Sequence, residues 1–88
     1  MDNQNRIELP KMDISEIRIY LKEIDLQQLR YIYVHKRNFF FFFDKYYINI
    51  ATKNGKLISI PFSSKYKEAV KKEIFTIKTL LNFSDASK

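Results

Sequence analysis

The sequence predicts an α+β fold with an N-terminal helix, an antiparallel meander of three or four strands, and a long C-terminal helix packed on the sheet. Two stretches, one beginning near Asp13 and the other following Phe62, place apolar residues at helical spacing. Between them, residues 31–60 are rich in aromatic and β-branched side chains, which are typical of strands. A chain of 88 residues is expected to fold as one domain.

The predicted domain covers residues 13–82. Residues 1–10 are mostly polar and show no periodicity, and residues 1–12 are therefore predicted to be a flexible N-terminal arm. Residues 83–88 are predicted to fray as a tail. No internal repeat or linker divides the segment between them.

The first helix is predicted from its cap and its spacing. Asp13 and Glu16 fit a capping box, in which each side chain bonds to the backbone of the other residue. The apolar residues behind it recur at the spacing of one helix face: Ile14, Ile17, Leu21 and Ile24. Because Ile17, Ile19 and Leu21 also alternate, a strand is the alternative, and the helix is favoured.

Four segments in the middle of the chain are predicted strands: 31–34, 39–43, 46–50 and 57–60. The segment 39–43 consists of five consecutive phenylalanines, and alternate rings along a strand point to opposite faces of a sheet. Phe40 and Phe42 are therefore predicted partner contacts. They either fill a core or a dimer interface, or they offer stacking platforms for bases.

The loop around Gly55 predicts the register of the last two strands. A two-residue turn would mix apolar and polar residues on both faces of the hairpin. A three-residue loop with Gly55 in the left-handed conformation keeps one face apolar. The predicted pairs are therefore Ile50 with Ile58, Ile48 with Ile60, and Tyr46 with Phe62.

The final helix is predicted to be capped by Ser63 or Ser64 and to reach about Leu81. Its buried stripe is predicted to contain Tyr66, Val70, Ile74, Ile77 and Leu81. Phe75 lies outside that stripe, among charged residues. It is either an ordinary exposed apolar residue or a contact for a protein partner or a second copy.

Most of the positive charge lies in the middle of the chain. The net charge is +6, and residues 26–67 contain eight basic side chains and a single acid, Asp44. The candidate phosphate contacts are Lys36, Arg37, Lys45, Lys53 and Lys56, with Arg30, Lys65 and Lys67 secondary. If the hairpin ends converge, these residues form a basic rim around the sheet. The alternative is a solvated surface that maintains solubility.

Residues suited to catalysis or to a bound cofactor are scarce. The chain has no cysteine and one glycine, and its acids show no metal-ligand spacing. Its single histidine, His35, is predicted to be a surface residue at a strand end. We therefore expect a non-enzymatic protein with no cofactor and no metal. The absence of a secretory signal pattern and of a long apolar stretch predicts a cytoplasmic protein without membrane contact.

Part of the chain resembles known domains at the level of pattern. A short meander is followed by Asn54-Gly55-Lys56, a strand ending in Pro61-Phe62, and a helix capped at Ser63-Ser64-Lys65. This order is similar to the three-strand-plus-helix arm-binding domains of phage and transposon integrases, which implies a sheet that enters the major groove of DNA. The same stretch, about half of the chain, resembles the second half of small bacterial pleckstrin-homology-like domains.

The first functional hypothesis is a small nucleic-acid-binding protein, with DNA favoured, that uses the basic rim. The alternative is a protein-interaction module, such as a modulator encoded by a phage or mobile element. It would dock on a protein or self-associate through exposed aromatic residues. The sequence leaves open whether the nucleic acid is DNA or RNA, and whether it is single or double stranded. It also leaves the oligomeric state open.

Overall fold

The computed structural model describes residues 6–39 and 43–86, with the side chains of residues 6–38 and 44–82. In chain order the elements are β1 (Arg6–Glu8), α1 (Ile14–Lys22), β2 (Leu29–Phe39), β3 (Phe43–Thr52), β4 (Leu57–Phe62) and α2 (Lys67–Ala86). The strands form one mixed sheet in the order β1-β4-β3-β2. The predicted α+β class and the C-terminal helix are confirmed.

Part of the segment that the sequence predicts as a flexible arm, Arg6–Glu8, forms the strand β1. β1 pairs in parallel with β4, and Glu8 lies opposite Ser59. The backbone N–H of Leu9 then donates to the carbonyl of Ser59 at 2.9 Å. A strand of three residues is too short to show a period of two, so the sequence carries no signal for it. Residues 1–5 of the predicted arm lie outside the described residues.

α1 has the capping box that the sequence predicts. The carboxylate of Asp13 accepts from the backbone N–H of Glu16, and the carboxylate of Glu16 accepts from the N–H of Asp13, both at 3.0 Å. Ile17 and Leu21 are buried, whereas Ile19 is exposed. The helical pattern, and not the alternating one, therefore describes this segment.

The structure has two long strands where the sequence predicts three shorter ones. β2 and β3 are antiparallel, and Phe39 pairs with Phe43. Phe39 is thus the last residue of β2 and Phe43 is the first residue of β3, and β2 extends the predicted strand 31–34 in both directions. The predicted contacts Phe40 and Phe42 lie outside the described residues.

The predicted register of β3 with β4 is confirmed. The observed pairs include Ile50 with Ile58, Ile48 with Ile60, and Tyr46 with Phe62. Gly55 has a φ of 93°, a left-handed value that favours glycine. Its N–H donates to the carbonyl of Thr52 at 3.1 Å and closes the loop.

α2 follows a short 3₁₀ turn, Ser64–Tyr66, and Ser63 caps that turn by accepting from the N–H of Lys65 at 3.4 Å. The predicted stripe is confirmed, with Val70, Ile74 and Ile77 buried and Tyr66 and Leu81 packed against the same core. The helix backbone continues to Ala86, beyond the predicted end near Leu81 and into the predicted tail.

The described residues form a hydrophobic core between the sheet and the two helices. Its members come from both helices and from three strands: Ile17, Leu21, Val70, Ile74, Ile77, Leu29, Ile32, Tyr46, Ile48, Ile50, Ile60 and Phe62. The helices also touch each other, because Arg18 of α1 and Glu73 of α2 form an ion pair at 3.1 Å. Both helices therefore lie on the same face of the sheet, and no described element covers the other face.

Candidate functional site

The face of the sheet opposite the helices is called here the open face. Successive side chains along a strand point to opposite faces, so the strand neighbours of the core residues point to this side. Its residues come from all four strands: Arg6, Glu8, Tyr31, Tyr33, His35, Arg37, Lys45, Tyr47, Asn49, Ala51, Leu57, Ser59 and Pro61. Ala51 and Ser59 are buried by their neighbours, and the others are exposed or partly exposed.

Four rings form a row on the open face, called here the aromatic row: Tyr31, Tyr33, His35 and Tyr47. Successive ring centroids lie 5.7 Å, 6.4 Å and 6.5 Å apart in that order. Tyr31 is 43% exposed and Tyr33 is 40% exposed. Rings exposed in this way form a surface on which a flat ligand ring can stack.

A chain of hydrogen bonds crosses the open face beside the aromatic row. Arg6 Nη2 donates to Ser59 Oγ at 3.3 Å, and Ser59 Oγ donates to Asn49 Oδ1 at 2.9 Å. Asn49 Nδ2 donates to Tyr33 Oη at 3.2 Å. Each of the four strands supplies one member of this chain. These hydrogen bonds provide partners for the hydroxyl of Ser59, a residue that is only 2% exposed, and they orient the amide of Asn49.

Arg37 and Lys45 lie opposite each other on the open face, at one end of the aromatic row. Both residues are exposed. β4 ends at Phe62, which pairs with Tyr46, so this part of the β2–β3 hairpin extends beyond β4. Two positively charged residues therefore lie at the end of the aromatic row, on the part of the hairpin that extends beyond β4.

The structure does not bring the other strand-end lysines to this place. Lys36 points to the helix side of the sheet, where its Nζ lies 3.6 Å from Oδ2 of Asp44. Lys53 and Lys56 flank the β3–β4 loop at the opposite end of β3. At ~3.4 Å per residue, that end lies about 24 Å from Lys45.

Lys65 lies in the 3₁₀ turn that precedes α2 and Lys67 is the first residue of α2, also on the helix side. Lys65 Nζ is 5.2 Å from the centroid of the Tyr66 ring, and Lys67 Nζ is 5.7 Å from that of Tyr46. Both distances fit cation–π contacts. The residues predicted to form one basic rim are thus distributed over several regions of the molecule.

Arg30 is the extra residue of an irregularity in β2, where Leu29 pairs with Thr52 and Tyr31 pairs with Ala51. This insertion reverses the alternation of side chains, so Leu29 joins the core and Arg30 is exposed. A cleft of about 480 Å³ lies beside it, between β2 and α2. The cleft is lined by Arg30, Tyr31, Ile32, Tyr33, Lys78, Leu81 and Asn82.

The site residues predicted from the sequence include no member of the aromatic row and no member of the hydrogen-bonded chain. The sequence does indicate one contact of the hydrogen-bonded chain, because the predicted pairs of β3 with β4 place Asn49 opposite Ser59. His35 is a surface residue, as predicted, but it lies inside β2 and not at a strand end. Phe75, the predicted contact on α2, is 71% exposed.

Comparison with protein-family models, curated proteins and solved structures finds no match to this chain. Within residues 6–39 and 43–86, no group of three or more His, Cys, Asp or Glu side chains is placed to hold a metal ion. In the same two ranges, no helix combines the length and the apolar character needed to cross a membrane. Function is therefore inferred from the open face itself.

Proposed function

We propose that the protein binds single-stranded nucleic acid on its open face. The observation that carries this proposal is the exposed aromatic row, which ends at the cations Arg37 and Lys45. Proteins that bind single strands combine aromatic rings, on which bases stack, with positive charges that follow the phosphates. The open face has both components side by side.

The tyrosine rings supply the stacking surface. Tyr31 and Tyr33 are neighbours on the open face of β2, and their rings are tilted by 39° to each other. A base stacked on one such ring contributes about 1–3 kcal/mol to binding. His35 and Tyr47 continue the row toward the cations, so bases and phosphates of one strand can be bound together.

The charge of the open face favours an anionic ligand. Arg6, Arg37 and Lys45 are exposed on this face, against one acid, Glu8, among its described residues. The other acid near the hairpin, Asp44, lies on the helix side in an ion pair with Lys36. A face with this excess of positive charge attracts a polyanion.

A single strand suits this face better than a duplex does. In a duplex the bases stack on one another, so their ring surfaces are not accessible to Tyr31 and Tyr33. In a single strand the unstacked bases can lie on aromatic side chains. We therefore expect a preference for single strands, in place of the major-groove binding that the integrase resemblance implies.

A fluorescence-anisotropy titration with a labelled dT strand of about 12 nucleotides, within the range of known single-strand sites, tests the proposal. The titration is made at about 50 and 200 mM salt, because each phosphate contact releases counterions. If two or three of Arg6, Arg37 and Lys45 contact phosphates, the affinity is expected to fall roughly 7- to 20-fold between these salts.

A duplex of the same length is the matched control ligand in that titration. The proposal is contradicted if the dT strand fails to bind at the lower salt concentration. It is also contradicted if the duplex binds as tightly as the single strand, because the tyrosine rings then contribute nothing.

A second candidate function is contact with a protein partner or a second copy, and the exposure of Phe75 favours it. Phe75 is 71% exposed on α2, and burying such a ring on association is favourable. If two copies meet through this ring, Phe75→Asp is expected to convert a dimer to a monomer in sedimentation velocity. Thr76→Asp, at an exposed neighbour on the same helix, is the control. A wild-type protein that is monomeric at high concentration contradicts self-association.

A further inference from the structure

A small pocket on the open face has the chemistry of a base-recognition site. Its volume is about 190 Å³. Residues from all four strands line it, and they include Arg6, Tyr31, Tyr33, Asn49, Leu57 and Ser59. Two stacking rings, a guanidinium and an amide therefore surround one small space.

The amide of Asn49 is held at both ends by other side chains of the protein. Its Oδ1 accepts from Ser59 Oγ at 2.9 Å, and its Nδ2 donates to Tyr33 Oη at 3.2 Å. An asparagine that recognises adenine uses its carbonyl and its amino group together. Each of the bonds to Ser59 and Tyr33 uses one of the two N–H donors or one of the two lone pairs of the amide, and together they fix its orientation within the protein.

Arg6 is placed differently from Asn49. A guanidinium carries five N–H donors in a planar fork, and one of them, on Nη2, donates to Ser59 Oγ at 3.3 Å. That bond anchors the guanidinium at the pocket, while the residue as a whole is exposed. An arginine fork matches the O6 and N7 acceptors of guanine, which is its commonest specific base contact.

We propose that this pocket selects a guanine within the bound strand. The guanine ring stacks on Tyr31 or Tyr33, and its O6 and N7 accept hydrogen bonds from Arg6. The described residues that line the pocket include no carboxylate, which is the usual acceptor for the amino group of cytosine. This inference rests on the proposed function and names the base that the same face prefers.

Competition anisotropy with four single strands tests the selection. Each strand has about 12 nucleotides, all dT except for a central G, A, C or T. The strand with the central G is expected to bind roughly 5- to 150-fold more tightly than the other three, the factor given by one good bidentate contact.

Arg6→Lys assigns the selection to the arginine fork, because it keeps the positive charge and removes the planar set of donors. In this variant the preference for G over T, measured as a ratio of affinities, is expected to fall to about twofold or less. Arg18→Lys is the control, because it makes the same change on the helix side, where Arg18 pairs with Glu73. This variant is expected to keep the preference for G.

The possible results separate the two proposals. If the wild type binds the all-dT strand but binds the G, A and C strands equally, guanine selection is overturned and the proposed function stands. If Arg6→Lys keeps the preference for G, the role of Arg6 is overturned. If none of the four strands binds at low salt, both the proposed function and the selection are overturned.

Discussion

Tyr33 contributes both a ring and a hydroxyl to the open face. The residue is 40% exposed, and its ring lies between those of Tyr31 and His35. Its hydroxyl accepts a hydrogen bond from Asn49 Nδ2 at 3.2 Å. Substitutions at this position can therefore separate stacking from the hydrogen-bonded chain.

Tyr33→Ala is expected to weaken binding of a dT strand roughly 5- to 150-fold, because one stacked base contributes about 1–3 kcal/mol. Tyr33→Phe keeps the ring and is expected to retain most of the affinity. Both are measured by anisotropy at low salt. Phe75→Ala removes an exposed ring from α2 and is the matched control. An equal loss in Phe75→Ala, or none in Tyr33→Ala, contradicts stacking on the open face.

The sequence shows which residues are charged, but it does not show on which face of the sheet each charged side chain lies. Lys36 and Arg37 are adjacent and both positively charged, yet Lys36 pairs with Asp44 on the helix side and Arg37 lies on the open face. Alternation along a strand separates the two side chains. Which of the two sides the helices cover depends on packing, and a pattern of charges carries no information about it.

Among the elements, the β3–β4 hairpin was the most predictable from sequence, because two independent constraints agree on its register. The loop residue Gly55 has the left-handed φ of 93° that a three-residue loop requires. The isoleucines on either side must meet on one face to be buried, as Ile48 and Ile60 do.

Gly55→Ala is expected to destabilise the fold by about 1–2 kcal/mol, the cost of a left-handed conformation for an ordinary residue. Apart from its two chain neighbours, no heavy atom lies within 4 Å of a Cβ added there, so the expected loss comes from backbone strain and not from a steric clash. The free energy of unfolding is measured by urea titration. Gly55→Asn is the control and should lose less, because asparagine tolerates this conformation. Equal losses for Ala and Asn would show that strain is not the cause.

Other elements left weaker signals in the sequence. β1 has three residues, and its partner β4 lies some fifty positions away in the chain, so neither period nor local turn chemistry reveals the pairing. The composition of the phenylalanine run predicts one strand. In the structure, Phe39 belongs to β2 and pairs with Phe43, which belongs to β3. The extra residue Arg30 likewise changes the alternation without any glycine or proline to mark it.

The arrangement of the whole molecule, with both helices on one side, is what produces a candidate site. An amphipathic helix shows which of its own faces is buried, but not which side of a sheet receives it. Here Ile17 of α1 and Val70 of α2 join one core, and the side that carries Tyr33 stays uncovered by any described element. The sequence therefore predicts the helices and most of the sheet, whereas the open face emerges only from their packing.

The tyrosines report directly on the two sides of the molecule. The chain has six of them. Three lie on the open face and three on the helix side: Tyr31, Tyr33 and Tyr47, against Tyr20, Tyr46 and Tyr66. A spectrum that resolves all six compares the proposed surface with an internal control in the same sample.

The measurement that tests the central claim most directly is an NMR titration of protein carrying ¹³C-labelled tyrosine with an unlabelled dT strand. Bases stacked on the open face are expected to shift the ring resonances of Tyr31, Tyr33 and Tyr47 through their ring currents, and to leave Tyr20, Tyr46 and Tyr66 nearly unchanged. Binding on the open face would be contradicted if Tyr46 and Tyr66 shift more than Tyr31 and Tyr33. It would also be contradicted if the protein is saturated with the dT strand and Tyr31 and Tyr33 do not shift.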